Sequence, residues 1–246
     1  MSLMQMLLAA TPQPIRVTIS ANTRNINART LAIANGYDGV SPLALIMTIN
    51  SGIIVGSSST ATAAIDFTGN PTGSTFILNI GSGAYVVGAG GAGSAGAAWN
   101  SANTPGGVGG NAIKTDRPLT VTNLGTIAGG GGGGGGGNGY APDGSYGAQG
   151  GAGGGGAGDI AAGSATLTVG ANGVTGEIAP GGPFKAGDGG KGGNLGVAGN
   201  SGEDKPANFD GSNPPPGAGG AAGNYIVGNS FVTWATAGTR IGNVTA

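Results

Sequence analysis

Apolar and polar residues alternate along the first third of the chain. Residues 15–20 read IRVTIS, and the segments ALIMTIN, GIIVG, AAIDF and STFILNIG follow at short intervals. Glycine, asparagine, proline and serine separate these segments, as they separate short strands in all-β proteins. The pattern predicts an all-β unit up to residue 87, with one helical turn around residues 28–34.

The pattern changes at residue 88, where glycine runs begin. The runs are 88–96, 106–110, 129–137, 147–158, 187–193 and 217–223. Between them lie β-like spacers at 113–128, 164–178 and 224–245. Irregular spacers with aromatic residues, asparagine and proline lie at 97–105, 138–146, 183–186 and 203–216. This alternation predicts a chain that crosses one layered domain repeatedly.

The nine consecutive glycines at 129–137 cannot form a core of side chains. An extended helix with three residues per turn makes no internal hydrogen bonds. Its buried N–H and C=O groups must therefore find partners in neighbouring segments. Because glycine has no β-carbon, such segments can approach closely enough to bond to one another. The runs therefore predict a layered sandwich of polyglycine II helices.

The number of times the chain crosses the sandwich predicts at which end each spacer lies. If each run crosses the sandwich once, the irregular spacers share one end and the β-like spacers share the other. This arrangement requires residues 194–196 to be a short turn and residues 197–202 to be one further crossing. Function commonly resides on loops that a rigid scaffold holds. The irregular spacers are therefore the predicted recognition surface.

Composition excludes several functional classes. The chain has 59 glycines and 13 prolines, but it is 38% hydrophobic with a net charge of −1, so it does not fit the highly charged composition of disordered chains. It has no histidine and no cysteine, which removes the Ser-His-Asp triad and thiolate metal sites. Near-neutral charge without a basic stripe argues against nucleic acid as a partner. We expect no metal and no cofactor.

One motif resembles a nucleotide site. Gly88, Gly90 and Gly93 fit G-x-G-x-x-G after an apolar run. A dinucleotide site also needs a helix after the motif and an acidic residue about 20 positions further on. Residues 97–110 are rich in Gly, Asn, Ser, Pro and Thr, and the nearest acid, Asp116, lies too far along. We therefore favour a scaffold role for these glycines.

The N-terminus is apolar and predicts a contact surface. Residues 1–10 read MSLMQMLLAA, and no basic residue precedes the apolar stretch as a signal peptide would require. Residues 43–56 are too short and too polar to span a bilayer. We expect a soluble chain whose first ~85 residues mount it on a larger partner. Arg16, Arg24 and Arg29 are expected to pair with acids of that partner.

The chain resembles the tip adhesins of T-even-type bacteriophage long tail fibres. The resemblance rests on the glycine runs, on the transition at 119–137 and on the closing segment 231–244, FVTWATAGTRIGNV. It implies a mainly β or irregular fold in three parts: a β-rich fibre-attachment domain (1–87), a polyglycine II sandwich with distal receptor-binding loops (88–223), and a closing β segment (224–246). It covers most of the chain, best from Tyr85 onward.

The resemblance also implies partners and location. Such a protein is made soluble in the host cytoplasm and sits in the virion, at the tip of the long tail fibre. There it binds the trimeric tail-fibre protein and recognises a bacterial outer-membrane protein, without inserting into the membrane or catalysing a reaction.

Two sets of residues follow as predicted sites. Aromatic side chains dominate many binding surfaces, and they are only 5% of this chain. The predicted receptor-binding residues are Trp99, Asn100, Asn103, Tyr140, Asp143, Tyr146, Phe184, Phe209 and Asp210. The predicted fibre-attachment residues are Leu3, Met4, Met6, Leu7, Leu8 and Arg16. Phe231 and Trp234 lie in a β-like segment and are expected in the core.

Two alternatives stay open from sequence. A purely structural glycine-rich fibre or matrix protein would favour uniform repeats, whereas these loops are unequal and carry aromatic residues. An enzyme that cleaves surface polysaccharide needs a pair of carboxylates. The loop candidates for such a pair are Asp143, Glu203, Asp204 and Asp210.

Overall fold

The structure is a computed structural model. It describes residues 13–141, 147–159, 166–179, 184–205, 208 and 214–246. Nine of the predicted site residues lie outside the described residues: Leu3, Met4, Met6, Leu7, Leu8, Asp143, Tyr146, Phe209 and Asp210.

The described strands form a solenoid of five coils. Each coil gives one strand to each of three five-stranded sheets, in which all pairs are parallel. The first three coils contain β1 (Ile15–Ile19), β2 (Thr23–Arg24), β3 (Ile26–Asn27), β4 (Ala44–Ile49), β5 (Ile54–Gly56), β6 (Ile65–Asp66), β7 (Thr75–Ile80), β8 (Tyr85–Val87) and β9 (Ile113–Lys114). The last two contain β10 (Leu119–Asn123), β11 (Thr126–Ala128), β12 (Asn224–Val227), β13 (Val232–Thr236), β14 (Thr239–Ile241) and β15 (Asn243–Thr245).

The alternating residues of the sequence pattern face the solenoid interior. In β4 and β7 every second side chain is buried, as the pleat of a strand requires. Parallel pairing in register stacks like residues over one another. One row of the first sheet contains Val17, Met47, Leu78, Val121 and Trp234. A row of the third sheet contains Ile26, Ile65, Ile113 and Ile226. The solenoid thus has an ordinary core of packed side chains.

The helical turn predicted near residue 28 is confirmed. Helix α1 (Ala28–Ile33) begins after Asn27, whose side-chain oxygen accepts a hydrogen bond from the backbone N–H of Thr30 at 2.9 Å. Asparagine is a preferred N-cap because this bond satisfies one of the free N–H groups of the first turn. Ala28 and Ala32 are buried against the solenoid, so the helix packs on the first coil.

The two aromatic residues of the last coil that were predicted to lie in the core differ in burial. Trp234 is partly buried against the core, and the Arg240 guanidinium carbon lies 4.7 Å from the centroid of its ring. Phe231 ends a short 3-10 turn (Asn229–Phe231) and is 45% exposed. The expectation that Phe231 lies in the core is therefore wrong, because the turn places its side chain outside the strand rows.

Two insertions leave the solenoid between its second and third sheets. Residues 88–112 connect β8 to β9, and residues 129–223 connect β11 to β12. Backbone hydrogen bonds join extended segments of both insertions into one layered sandwich. These segments, here called crossings, are 88–97, 105–111, 129–138, 149–158, 170–177, 187–193, 197–203 and 217–223. The predicted fold class, mainly β with a layered sandwich of extended glycine segments, is confirmed.

The crossing 129–138 lies at the centre and bonds to six others. Successive N–H groups of this crossing donate hydrogen bonds to three neighbouring crossings in turn. Gly130 and Gly133 donate to crossing 105–111, Gly131 and Gly134 to 149–158, and Gly132 and Gly135 to 197–203. Its C=O groups accept from crossings 88–97, 187–193 and 217–223. The pattern repeats every three residues, as expected for a segment with three residues per turn.

Side chains cannot enter the centre of the sandwich. Residues 129–137 are all buried. A β-carbon placed on Gly133 would overlap the carbonyl oxygen of Ala92, and one on Gly134 would overlap the carbonyl oxygen of Gly190. Other crossings carry alanines: Ala218 and Ala221 are exposed at outward positions, whereas Ala89 and Ala157 are buried. The centre of the sandwich, around crossing 129–138, therefore consists of backbone.

The segment 164–178 was expected to be a β-like spacer, and this is wrong. Its described part contains no strand, and residues 170–177 form a crossing instead. Ala171 and Val174 donate to the carbonyls of Gly155 and Ala152, and Gly189 donates back to Val174. The signal in the sequence is glycine at every third position, namely Gly170, Gly173 and Gly176.

The sandwich is fastened to the solenoid by a buried carboxylate. Asp159 follows crossing 149–158, and Arg24 of β2 donates from Nε to both its oxygens at 2.8 and 2.9 Å. The Asp159 side chain is only 4% exposed. Arg29 donates to the carbonyls of Gly39 and Gly69. Arg24 and Arg29 thus have partners within the chain, and their pairing with acids of a larger partner stays a prediction.

Candidate functional site

The loops between crossings separate into two ends of the sandwich. The chain enters and leaves both insertions at the solenoid, so the described parts of the connections between outgoing and returning crossings lie at the opposite end, here called the distal end. These described parts are 97–105, 138–141, 147–149, 177–179, 184–187, 203–205, 208 and 214–217. The turn at 194–196 lies at the solenoid, where Gly196 donates to Gly129. Gly199 and Gly202 donate to crossing 217–223, which confirms the predicted crossing at 197–202.

Three of the predicted aromatic residues lie at the distal end, and two of them are in ring contact. The rings of Tyr140 and Phe184 are 6.2 Å apart and meet edge to face. Tyr140 packs on a small buried cluster of Ala148, Ala179 and Ala186, while Phe184 is 42% exposed. Trp99 is partly buried and lies against Gly147 so closely that a β-carbon there would overlap its indole. The loops thus present aromatic surface on a base of small residues.

The two predicted asparagines of loop 97–105 differ in position. Asn100 is exposed at the tip of the loop. Asn103 is partly buried, and its Nδ2 donates to the carbonyl of Gly137 at 2.8 Å. Asn100 is therefore available to an external partner, while Asn103 ties its loop to the end of the central crossing.

Two buried asparagines were missed by the sequence analysis. Asn138 is 1% exposed and Asn208 is 5% exposed. Asn138 bonds to Asp204 and Lys205, and Asn208 bonds to Trp99 and Ala141. The available signal for Asn138 is its place directly after the longest glycine run. Asn208 gives no comparable signal, since it lies within an irregular spacer.

Charged side chains cross-link two distal loops. Lys185 binds Asp188 at 2.6 Å, and Lys205 binds Glu203 at 2.6 Å. The Glu203 carboxylate also accepts from the backbone N–H of Asp188, and Asp188 accepts from the N–H of Gly176. The hydrogen bond from Lys185 lowers the pKa of Asp188, and that from Lys205 lowers the pKa of Glu203; both backbone bonds act in the same direction.

These lowered pKa values predict acid sensitivity of the distal loops. A carboxylate whose pKa is lower in the folded state stabilises the fold above its unfolded pKa and loses that effect as the pH falls through the folded value. We expect Gly176 and Asp188 amides to exchange faster below about pH 4 than at pH 6, after correction for the intrinsic exchange rate. Amide exchange by NMR measures this change.

The matched variant carries Asp188→Asn and Glu203→Gln. Its Gly176 and Asp188 amides should show the same protection at both pH values, since these two sites no longer titrate. An equal loss of protection in acid for both proteins would contradict this assignment and would point to carboxylates elsewhere.

Two of the carboxylates considered for catalysis have contacts within the loops. Glu203 is occupied by Lys205 and by the Asp188 backbone, and Asp204 accepts from Asn138 Nδ2 at 3.1 Å. Asp143 and Asp210 lie outside the described residues. Among the residues with described positions, Glu203 and Asp204 therefore serve as loop contacts.

At the solenoid, Arg16 is the one predicted attachment residue with a described position. It lies on β1, at the edge of the first sheet, and its side chain is exposed. In the described part of the chain, no helix has the length and apolar character needed to cross a membrane.

Comparison with solved structures gives one strong likeness. The crystal structure of the gp37-gp38 adhesin tip complex of the bacteriophage S16 long tail fiber matches with a TM-score of 0.56 at 23% identity. The match covers 94% of this chain and 82% of the matched chain. At this identity the likeness establishes a shared fold. A search of curated proteins returned no match.

A family comparison extends over almost the whole chain. The model of the phage tail fibre adhesin Gp38 family matches residues 14–245, which include the solenoid and both insertions. The loops, the glycine crossings and the closing coil therefore fall inside one family pattern, as the resemblance in the sequence implied. The chain belongs to the Gp38 family of phage tail fibre adhesins.

Proposed function

We propose that the distal loops of this adhesin bind a protein of the bacterial outer membrane. The observation that carries the proposal is the aromatic pair of the exposed Phe184 and the partly buried Tyr140 at the end of the sandwich farthest from the solenoid. Aromatic residues supply large contact areas at low entropic cost, and they are enriched in binding hot spots. Host attachment is the role that this surface serves.

The chemistry of the surface favours recognition by shape, stacking and hydrogen bonds. Four charged side chains of the distal end form ion pairs there, as Lys185–Asp188 and Lys205–Glu203. Paired surface charges give little long-range attraction, and salt screens what remains. Binding to the receptor therefore tolerates moderate salt.

The glycine crossings are polyglycine II helices in this proposal, and they act as a rigid platform for the loops. The three-residue rotation of hydrogen bonds around crossing 129–138 supports this assignment. A rigid base reduces the ordering cost that flexible loops incur on binding. The loops can thus differ in sequence while their anchoring points stay fixed.

The solenoid mounts the adhesin on the tip of the long tail fibre in this proposal, with a trimeric fibre protein as its partner. The matched S16 structure is itself a complex of gp37 with gp38, which supports a fibre partner here. The exposed Arg16 on edge strand β1 is the described residue that we assign to this contact. The protein is then located at the tail tip of the virion.

The receptor assignment is tested by removing the aromatic pair. We expect Tyr140→Ala with Phe184→Ala to slow adsorption of fibre-bound adhesin to host cells at least ~30-fold, the effect of ~2 kcal/mol at a hot spot. The measurement is the adsorption rate on the strain that propagates the phage. Melting temperature and fibre binding are measured alongside.

Phe231→Ala is the matched control. Phe231 is 45% exposed, close to the 42% of Phe184, but it lies on the solenoid rather than on a distal loop. Its removal should leave adsorption unchanged. If the double variant adsorbs as fast as the unmodified protein, the distal aromatic surface is not the receptor site.

A further inference from the structure

The hydrogen-bond pattern of the sandwich meets a difficulty where the central run ends. Beyond Gly137 the surrounding crossings turn away into loops, so the backbone groups there lose their regular partners. Buried N–H and C=O groups without partners are costly. An asparagine side chain carries a carbonyl acceptor and an NH₂ donor, which are the groups of a peptide unit. It can therefore take the place of a missing neighbour.

Asn138 fills this position at the end of the central run. Its backbone N–H donates to the carbonyl of Glu203 at 3.4 Å, continuing the pattern of the crossing. Its side-chain Oδ1 accepts from the N–H of Lys205 at 3.0 Å, and its Nδ2 donates to Asp204 at 3.1 Å. One buried amide thus holds the loop that follows crossing 197–203 against the end of the central run.

Asn208 makes a second connection of the same kind. Its Oδ1 accepts from the N–H of Ala141 at 2.8 Å. Its Nδ2 donates to the carbonyl of Trp99 at 2.8 Å. The residue comes from connection 203–217, so a single amide joins three connections that are far apart in sequence.

The same chemistry ends glycine runs at the solenoid end. Asn111 Oδ1 accepts from both the N–H and the Nδ2 of Asn224, and Asn194 Oδ1 accepts from the N–H of Gly170 at 3.3 Å. Asparagine directly follows four glycine runs, as Asn111, Asn138, Asn194 and Asn224. The recurrence at both ends indicates that amide side chains terminate the runs as a general device.

We infer that Asn138 and Asn208 are positioning residues that fix the distal loops relative to one another. They act through the backbone of Trp99, Ala141 and Lys205, and the burial of both amides keeps them from direct contact with a receptor. Hydrogen bonds of this kind preorganise a binding surface by locking the groups that make contact. The inference rests on the proposed receptor function of the loops, but loop order can be measured without a receptor.

The fluorescence of Trp99 reports loop order directly. The chain has two tryptophans, so the substitution Trp234→Phe leaves Trp99 as the single emitter. In this background Asn208→Ala releases the Trp99 carbonyl. We expect acrylamide to quench Trp99 at least twofold more strongly than in the background protein, and the Ala141 amide to lose protection from hydrogen exchange.

Asn194→Ala is the matched control, since it removes the same type of amide from the solenoid end. It should leave Trp99 quenching and Ala141 exchange unchanged. Asn208→Asp separates the two bonds: with its carboxyl ionised it keeps the acceptor for Ala141 and loses the donor to Trp99, so quenching should rise while Ala141 stays protected. This variant keeps the test valid if Asn208→Ala folds poorly.

Host-cell adsorption distinguishes the positioning role of Asn208 from the receptor function of the loops. The inference predicts that Asn208→Ala slows adsorption about tenfold, or about 1.4 kcal/mol, while fibre binding is unaltered. Unchanged quenching in both Asn208→Ala and Asn208→Asp would overturn the positioning role. Increased Trp99 quenching with unchanged adsorption would support the role of Asn208 in ordering the loops. The same result would refute the proposed receptor function of those loops.

Discussion

Gly133→Val is expected to unfold the glycine sandwich. Gly133 lies in the middle of the central crossing, where an added β-carbon overlaps the carbonyl oxygen of Ala92. Six crossings surround this segment, so a shift away from the clash breaks hydrogen bonds on the opposite side. We expect a loss of more than ~4 kcal/mol, as for the most disruptive single substitutions. This corresponds to a fall of at least ~8 °C in the melting temperature of a chain of this length.

Ala221→Val is the control for Gly133→Val. It introduces the same side chain into another crossing, but Ala221 is exposed at the surface of the sandwich. Its melting temperature should stay within ~2 °C of the unmodified protein, since surface changes usually cost little. Calorimetry on both variants makes the comparison. Similar melting temperatures for the two variants would show that the sandwich interior accepts side chains.

Arg24→Ala is expected to loosen the sandwich from the solenoid. The Asp159 carboxylate is 4% exposed and would lose its ion-pair partner, which is costly for a buried charge. Since Arg24 itself is half exposed, water reaches the site and we expect about 2 kcal/mol rather than the 3–5 kcal/mol of a fully buried pair. Urea unfolding followed by amide exchange in crossing 149–158 measures the effect.

Two comparison variants isolate the ion pair. Asp159→Asn added to Arg24→Ala removes the buried charge that has lost Arg24 and should recover about half of the lost stability. Arg16→Ala removes an exposed arginine from the same coil and should change stability by less than ~0.5 kcal/mol. Equal losses for Arg16→Ala and Arg24→Ala would mean that Asp159 does not depend on Arg24.

The strands of the solenoid could be predicted because they follow the alternation of apolar residues. Segments 15–20 and 113–128 pack apolar side chains into a core, and alternation of apolar residues is the main signal of a strand in a sequence. The order of strands within three parallel sheets could not be predicted in the same way. Local patterns do not state which strands pair, and the large insertions separate β8 from β9 and β11 from β12.

The distal site was predictable in outline and less so in detail. Parity of the crossings places Trp99, Tyr140 and Phe184 at one end, and the structure brings them there. The missed crossing 170–177 carries too few glycines to look like a run, although its glycines repeat every third residue. The role of Asn208 was hidden because its partners, Ala141 and Trp99, are remote in sequence.

The three-neighbour rotation in crossing 129–138 imposes a counting rule on the gene. Successive residues are rotated by about 120° about the axis of the segment. A deletion of one codon would therefore direct every later N–H group toward a different neighbouring crossing. A deletion of three codons restores the direction and shortens the segment by ~9 Å. Exchange between related adhesin genes should therefore succeed when junctions within glycine runs keep lengths in steps of nine nucleotides, whereas the loops between runs are free to change length.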